Sequence, residues 1–278
     1  MNLRLISFGN STIGLRYDDG RPTEMVDFLF QNITGSNYEE PWTTLRLEDH
    51  GGDEGFWLWQ DDTLLFKEES FEIMANSLMS QVCFTLAYES KAGLLLHSAA
   101  VRTEEKGILL PGRSGAGKST LTAWLIHHGF GYLSDEMVFV ASGSDQFRGF
   151  TRPITIKSPA RHLLPQLLKK ERLVNGILQS ESLDMVAPEQ FGVQVVKNLS
   201  SIDLIIFPHF EASQGVQLAR LSKAEAAFEL MKCLANARNL EDHGLSEAVR
   251  LAKTTPGYSL GYGDSAQAER AIRQLVMI

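Results

Sequence analysis

Cysteine is scarce. The two thiols in 278 residues, Cys83 and Cys233, lie far apart in helix-like apolar patterns and at no metal-ligand spacing. That excludes a disulfide framework or a thiolate zinc site and fits a reducing compartment. Long apolar runs are missing too, since none approaches the ~18 residues needed to cross a bilayer. The opening M-N-L-R-L-I-S-F-G-N lacks the basic stretch, continuous apolar run and small-residue cleavage site of a secretory signal. A cytoplasmic location is expected. Positive charge is in deficit, with 26 Lys and Arg against 34 Asp and Glu, a net charge of -8 and a pI near 5.4. Without a basic cluster, neither nucleic acid nor an anionic membrane is an expected partner. Internal repeats and low-complexity segments are absent. What is present is 44% hydrophobic and 22% charged, enough for a real core in one large domain or two modest ones.

Two compositional styles meet near residue 90. Residues 1–90 read as a β-rich domain with a closing helix. Strands are predicted at 3–8 and 12–17, then a helix over E-M-V-D-F-L-F-Q-N, then the alternating T-T-L-R-L-E and a hairpin turning at Asp61-Asp62. A helix over 69–90 follows, with Phe71, Met74, Leu78, Val82 and Leu86 on one face. Phe56, Trp57 and Trp59 read as half-buried strand packing rather than a ligand platform. Residues 91–278 alternate strand, loop and helix: G-L-L-L-H-S-A-A-V, then G-I-L-L-P, a glycine loop, the short helix L-T-A-W-L-I-H-H-G, and Y-L-S-D-E-M-V-F-V-A as the next strand.

The glycine loop carries the chemistry. L-L-P-G-R-S-G-A-G-K-S-T fits the G-x-x-x-x-G-K-[S/T] pattern of a phosphate-binding loop, and it follows an apolar strand and opens a helix. Gly112, Gly115 and Gly117 permit backbone conformations closed to other residues. The N–H groups of Gly112, Arg113, Ser114, Gly115, Ala116, Gly117, Lys118, Ser119 and Thr120 can then converge on phosphate oxygens at the helix N-terminus. Lys118 is placed to reach the β- and γ-phosphates of a nucleotide, and the Ser119 hydroxyl to ligate Mg2+. Arg113 could face solvent or the phosphates.

Such a metal also needs a carboxylate. The downstream strand I-D-L-I-I-F ends in Pro208-His209 with no acid, whereas Asp135-Glu136 follows the loop's helix. Residue types alone leave that pair open between metal ligands and solvated turn residues. His97, predicted to share a strand face with Leu95 and Ala99, reads on its own as a hydrogen-bonded core residue, with a residue that orients a carboxylate as the alternative. Arg152 and Lys157 read either as phosphate or substrate contacts or as surface charges on a strand. His127, His128, His162 and His209 read as surface or capping residues.

Taken together, L-L-L-H-S-A-A-V, L-L-P-G-R-S-G-A-G-K-S-T-L and Y-L-S-D-E, in that order and spacing, resemble the P-loop domain of the HPr serine kinase/phosphorylase family and its shorter relatives. The resemblance runs from about residue 92 to 278. It implies an α/β P-loop kinase core of the HPr-kinase type behind an N-terminal mixed β-rich α+β domain. It also implies that Asp135 is the catalytic carboxylate taking the proton from an acceptor hydroxyl, with His97 as its partner, and that Glu136, with Asp135 and Ser119, is associated with Mg2+. The family's Asp-Asp pair is Asp-Glu here, and its Glu-Ile-Arg-Gly signature is replaced by R-P-I-T-I-K-S-P-A-R-H. Neither phosphorolysis of phosphoserine nor HPr as substrate is therefore carried over.

The expectation is an ATP- and Mg2+-dependent kinase with Asp135, His97 and Lys118 as catalytic residues. The acceptor is a hydroxyl, preferably serine on a protein or peptide. A small-alcohol or amino-acid kinase and a P-loop ATPase or switch are the alternatives, and the oligomeric state stays open.

Overall fold

The computed structural model describes residues 1–33, 40–163, 176–193 and 195–277. Strands β1 (Asn2–Phe8) and β2 (Ser11–Tyr17) pair antiparallel through a Gly9-Asn10 turn whose two residues both have positive φ. Helix α1 (Arg21–Phe30), with Pro22 in its first turn, leads to β3 (Thr44–Gly51), which runs parallel to β2. Strands β4 (Gly55–Gln60) and β5 (Thr63–Glu68) complete a five-stranded sheet in chain order, turning at Asp61-Asp62 as the sequence predicts. Helix α2 (Phe71–Glu89) starts at Ser70, whose Oγ accepts from the Ile73 N–H at 3.2 Å. It buries the predicted face of Phe71, Met74, Leu78, Val82 and Leu86. Phe56 points into this core while Trp57 and Trp59 stay half-buried, in keeping with strand packing.

The remainder is a layered α/β unit. Strands β6 (Gly93–Arg102) and β7 (Gly107–Pro111) are followed by α3 (Lys118–His127), β8 (Gly131–Ser134), β9 (Met137–Ala141), β10 (Gln146–Gly149) and β11 (Ile154–Lys157). Next come β12 (Ile177–Gln179), β13 (Leu183–Val186), β14 (Ser200–Ser201), β15 (Leu204–Phe210), β16 (Gln217–Arg220), α4 (Lys223–Met231), α5 (Leu245–Thr254), β17 (Gly257–Tyr262) and α6 (Ser265–Val276). Among the described residues the main sheet runs β14-β10-β9-β6-β7-β15-β17-β16, with β8 also on β6, while β11, β13 and β12 form a small sheet of their own. Strands β7, β15 and β17 run parallel. Period-two alternation sorts the layers. Ile108, Leu110, Leu204 and Ile206 face α3 and α6 through Leu121, Leu125 and Ile272; Leu109, Ile205 and Phe207 face α4 and α5 through Leu230, Ala248 and Leu251.

One expectation needs correcting: Y-L-S-D-E-M-V-F-V-A is two strands. Both pair with β6, but the ladder breaks at Asp135-Glu136, opposite Ser98 and Ala99. The Ser134 Oγ closes this break, donating to the Met137 carbonyl at 2.7 Å and accepting from the Glu136 and Met137 N–H groups. Cys233 also lies past the end of α4 rather than in a helix. No helix among the described residues is long and apolar enough to cross a membrane.

The two units share a core. The cluster built on the five-stranded sheet and α2 extends to Leu95, Met137, Phe150, Leu178 and Met185. Asn236, fully buried, ties the junction: its Oδ1 accepts from the Leu95 N–H (2.9 Å), and its Nδ2 donates to the Ser90 (3.1 Å) and Gly93 (3.0 Å) carbonyls. Asn236→Ala strips these buried groups of their partners. It is expected to lower stability by about 3 kcal/mol in urea denaturation; a loss below about 1 kcal/mol would mean the junction does not depend on Asn236.

Candidate active site

The glycine loop joins the end of β7 to the start of α3, so the first N–H groups of that helix sit at the loop's mouth. Gly115 and Gly117 both have φ of +90°, the left-handed region expected of them. Gly112 does not, and what its missing side chain spares is room beside the Ala116 Cβ. Two neighbours brace the loop: the Tyr262 hydroxyl donates to the Gly117 carbonyl at 3.2 Å, and the Phe210 N–H to that of Ala116 at 3.2 Å.

Lys118 is buried at the first position of α3. Its Nζ donates to the Gly112 (2.7 Å) and Arg113 (3.2 Å) carbonyls and lies 3.3 Å from His97 Nε2. Burial lowers its pKa, against the opposing pull of Glu136 and Asp135. His97 reaches the site from β6, and its Nε2 stands 3.0 Å from Glu136 Oε1. The resemblance made His97 the partner of Asp135; the structure places it on Glu136 instead. The two adjacent acids leave the break between β8 and β9 in different directions, Glu136 meeting His97 and Asp135 the Thr155 N–H.

Asp135 is fully buried. Its Oδ2 accepts from the Thr155 N–H at 3.2 Å, and its Oδ1 has no hydrogen-bond partner. Burial pushes its pKa up to about 6, although Arg152, the Thr155 N–H and the nearby Ser119 hydroxyl favour the ionised form. Glu136 goes the other way. Burial pushes its carboxyl up, but His97, Arg152 and Lys118 outweigh that and hold it at about 2. Two adjacent acids thus sit on opposite sides of the usual carboxylate range.

The unpartnered Asp135 Oδ1 and the Ser119 hydroxyl near that carboxyl offer oxygen donors that fit a hard cation such as Mg2+, while both Glu136 oxygens are already engaged by His97 and Arg152. Among the described residues, no group of three or more His, Cys, Asp and Glu side chains could hold a metal unaided.

A cleft of about 1210 Å³ is lined by His97, Lys118, Ser119, Glu136 and Arg152. Ser114, Gly115 and Gly117 of the loop, Ser119 and Thr120 at the start of α3, residues 263–266 leading into α6, and Cys83, Phe84 and Ala87 of α2 also line it. Ser114 and Gly115 are exposed, while Ala116, Gly117, Ser119 and Thr120 are half-buried. Arg113 is exposed on the loop's outer side, where it lines a separate hollow of about 390 Å³ with His209 and Glu229. Lys157 is exposed and reaches the cleft; His127, His128, His162 and His209 are all exposed, as expected. Arg152 resolves in the other direction from a surface charge, being only 6% exposed with its Nη2 2.9 Å from Glu136 Oε2 and 3.5 Å from Asp135 Oδ2. A signal for it was present in the sequence. In R-P-I-T-I-K, period two puts Arg152 on the inward face of Ile154 and Ile156 and Lys157 on the other.

No family model matches the chain. A curated HPr kinase/phosphorylase from Lachnoclostridium phytofermentans is 32% identical over 135 residues. Over that stretch the chain is HPr-kinase-like. The resemblance read from the motifs is thereby borne out, although the HPr-kinase-like stretch covers 49% of this chain and only 38% of that relative's length. The solved HPr(Ser) kinase/phosphatase of Coxiella burnetii aligns over 66% of this chain and 90% of its own at 13% identity. Its TM-score to this chain is 0.32.

Proposed function

We propose that the protein is an ATP- and Mg2+-dependent kinase that transfers the γ-phosphoryl group to a hydroxyl, with serine on a protein or peptide as the acceptor. The observation that carries this reading is the convergence of Lys118, His97 and Glu136 at the N-terminal end of α3, where they line one large cleft, with Asp135 buried beside them against Arg152 and the Thr155 N–H. A curated relative called HPr kinase/phosphorylase supports phosphoryl transfer as the class of chemistry.

In this reading the N–H groups of residues 112–120 cradle the phosphates, and Lys118 leaves the loop carbonyls for the β- and γ-phosphate oxygens. Ser119, Asp135 and Glu136 would hold Mg2+, which supplies charge neutralisation on the transferring group. Asp135 takes the acceptor proton; a buried carboxylate with one free oxygen and a pKa near 6 is suited to that task at neutral pH. His97 holds Glu136 in place. The wall formed by α2 would receive the acceptor, which assigns residues 1–90 to acceptor recognition and 91–278 to the chemistry.

The test is transfer of label from γ-labelled ATP with Mg2+ in a lysate of the source cell. A discrete labelled polypeptide is the expected result. Bound ATP with no labelled macromolecule would rule out a polypeptide acceptor. The reading also fixes a pH profile. Glu136 stays ionised down to about pH 2, so the acidic limb of transfer belongs to Asp135. In kcat/KM, which reports the free protein, the rate is expected to fall about tenfold per pH unit below about 6. A rate level from pH 7 to well below 5 would take Asp135 out of the role of base.

A further inference from the structure

Arg152 has no part in the proton transfer above, yet it is among the most buried charges in the protein. Its Nη2 faces both acids at once, 2.9 Å from Glu136 Oε2 and 3.5 Å from Asp135 Oδ2. The other oxygen of Glu136 is taken by His97 at 3.0 Å. A guanidinium cannot leave this position by losing its proton, because it stays charged at every accessible pH. Two positive side chains, Arg152 and Lys118, therefore stand against two negative ones, Asp135 and Glu136, and charge is already balanced without any ligand. Only the Asp135 Oδ1 is left unpartnered on these acids.

We propose that Arg152 is a positioning residue that acts as the built-in cation of the acid pair, and that it makes divalent-metal binding depend on the nucleotide. A divalent ion arriving alone would gain one free carboxylate oxygen while meeting the guanidinium at close range in a poorly screened site. A nucleotide brings several negative oxygens of its own. These offset the added positive charge and complete the ligand set that the protein leaves short. The buried Arg152 Nε–H, which has no partner among the described residues, gives the side chain a donor to spare when that happens. The inference rests on the kinase reading for its nucleotide, but its consequence for the metal can be measured without one.

Mn2+ serves as the probe, with binding to the full chain followed by electron paramagnetic resonance in the absence of nucleotide. The wild type is expected to bind no Mn2+ at micromolar concentrations, and Arg152→Gln to bind at least about tenfold more tightly because the opposing charge is gone. Arg152→Lys restores a cation and is expected to return toward the wild type, which a merely structural role would not predict. Equal affinity in wild type and Arg152→Gln, or micromolar binding by the wild type, overturns the proposal. Should Arg152→Gln not fold, as judged by near-UV circular dichroism, the wild-type titration decides alone. ATP binding is measured separately by calorimetry. Its absence would defeat the kinase reading, whereas ATP binding together with nucleotide-free Mn2+ binding by the wild type would defeat only the role given to Arg152.

Discussion

Asp135→Asn is expected to abolish phosphoryl transfer while making the protein more stable. Asp135 is fully buried, and burial raises its pKa from 3.8 to about 6. Between those two values the folded state binds more protons than the unfolded chain, so stability falls as pH rises through the window, and the deficit persists at pH 7. A shift of this size corresponds to about 3 kcal/mol. Asparagine has nearly the same shape, keeps an oxygen for the Thr155 N–H and carries no charge, and Arg152 retains Glu136. The expected gain in urea denaturation at pH 7 is on the order of 1–3 kcal/mol. Single-turnover transfer should fall by about 10³, within the range for loss of a general base. Retained transfer would remove Asp135 from the chemistry, and a stability loss would mean its ionised form is better accommodated than its burial implies. Glu136 has the opposite linkage: with a folded pKa near 2 against 4.5, its stabilising contribution is complete above about pH 4.5 and lost as pH falls toward 2.

Gly117→Ala is expected to disable nucleotide binding. At φ of +90° an L side chain is strained, at a cost of roughly 1–2 kcal/mol. Space is the larger obstacle. An added Cβ would stand 2.5 Å from the Tyr262 hydroxyl oxygen and 2.8 Å from the Phe210 Cβ, the two residues that brace the loop. Displacing them adds about 1–3 kcal/mol, so ATP affinity by calorimetry should fall by at least about tenfold. Gly115→Ala is the control: its φ is also +90° but nothing lies within 4 Å of the added atom, so it carries the conformational strain without the clash. Equal effects of the two substitutions would show that crowding at Gly117 is unimportant.

Much of this was legible in the sequence, and the reasons differ by element. The face of α2 and the hairpin at Asp61-Asp62 were readable because period and turn chemistry are local properties. The glycine loop was readable because its spacing, its preceding strand and its following helix agree. The pairing of His97 was not. It depends on a break between β8 and β9 that Ser134 enforces through hydrogen bonds to the Glu136 and Met137 backbone, and the polar run Ser134-Asp135-Glu136 does not by itself reveal which acid then meets His97. Arg152 was half legible: alternation gave its face, but its value as a partner of two acids depends on β11 lying beside the break between β8 and β9, a contact between separate strands. The packing of the N-terminal sheet against Leu95, Met137 and Phe150 was likewise invisible, since an apolar residue does not reveal which of two cores it enters.

That packing bears on how such a protein can diversify. Helix α2 turns one side to the five-stranded sheet and offers Cys83 and Phe84 to the cleft, while Met137, immediately after the acid pair, sits in the same apolar cluster as the sheet. A recombination joint placed near residue 90 would therefore cut through shared interior rather than through a linker. The N-terminal part is not an interchangeable cassette. If it does choose the acceptor, a new preference is reached by successive single exchanges along the cleft side of α2, each filtered by the packing on the helix's other side.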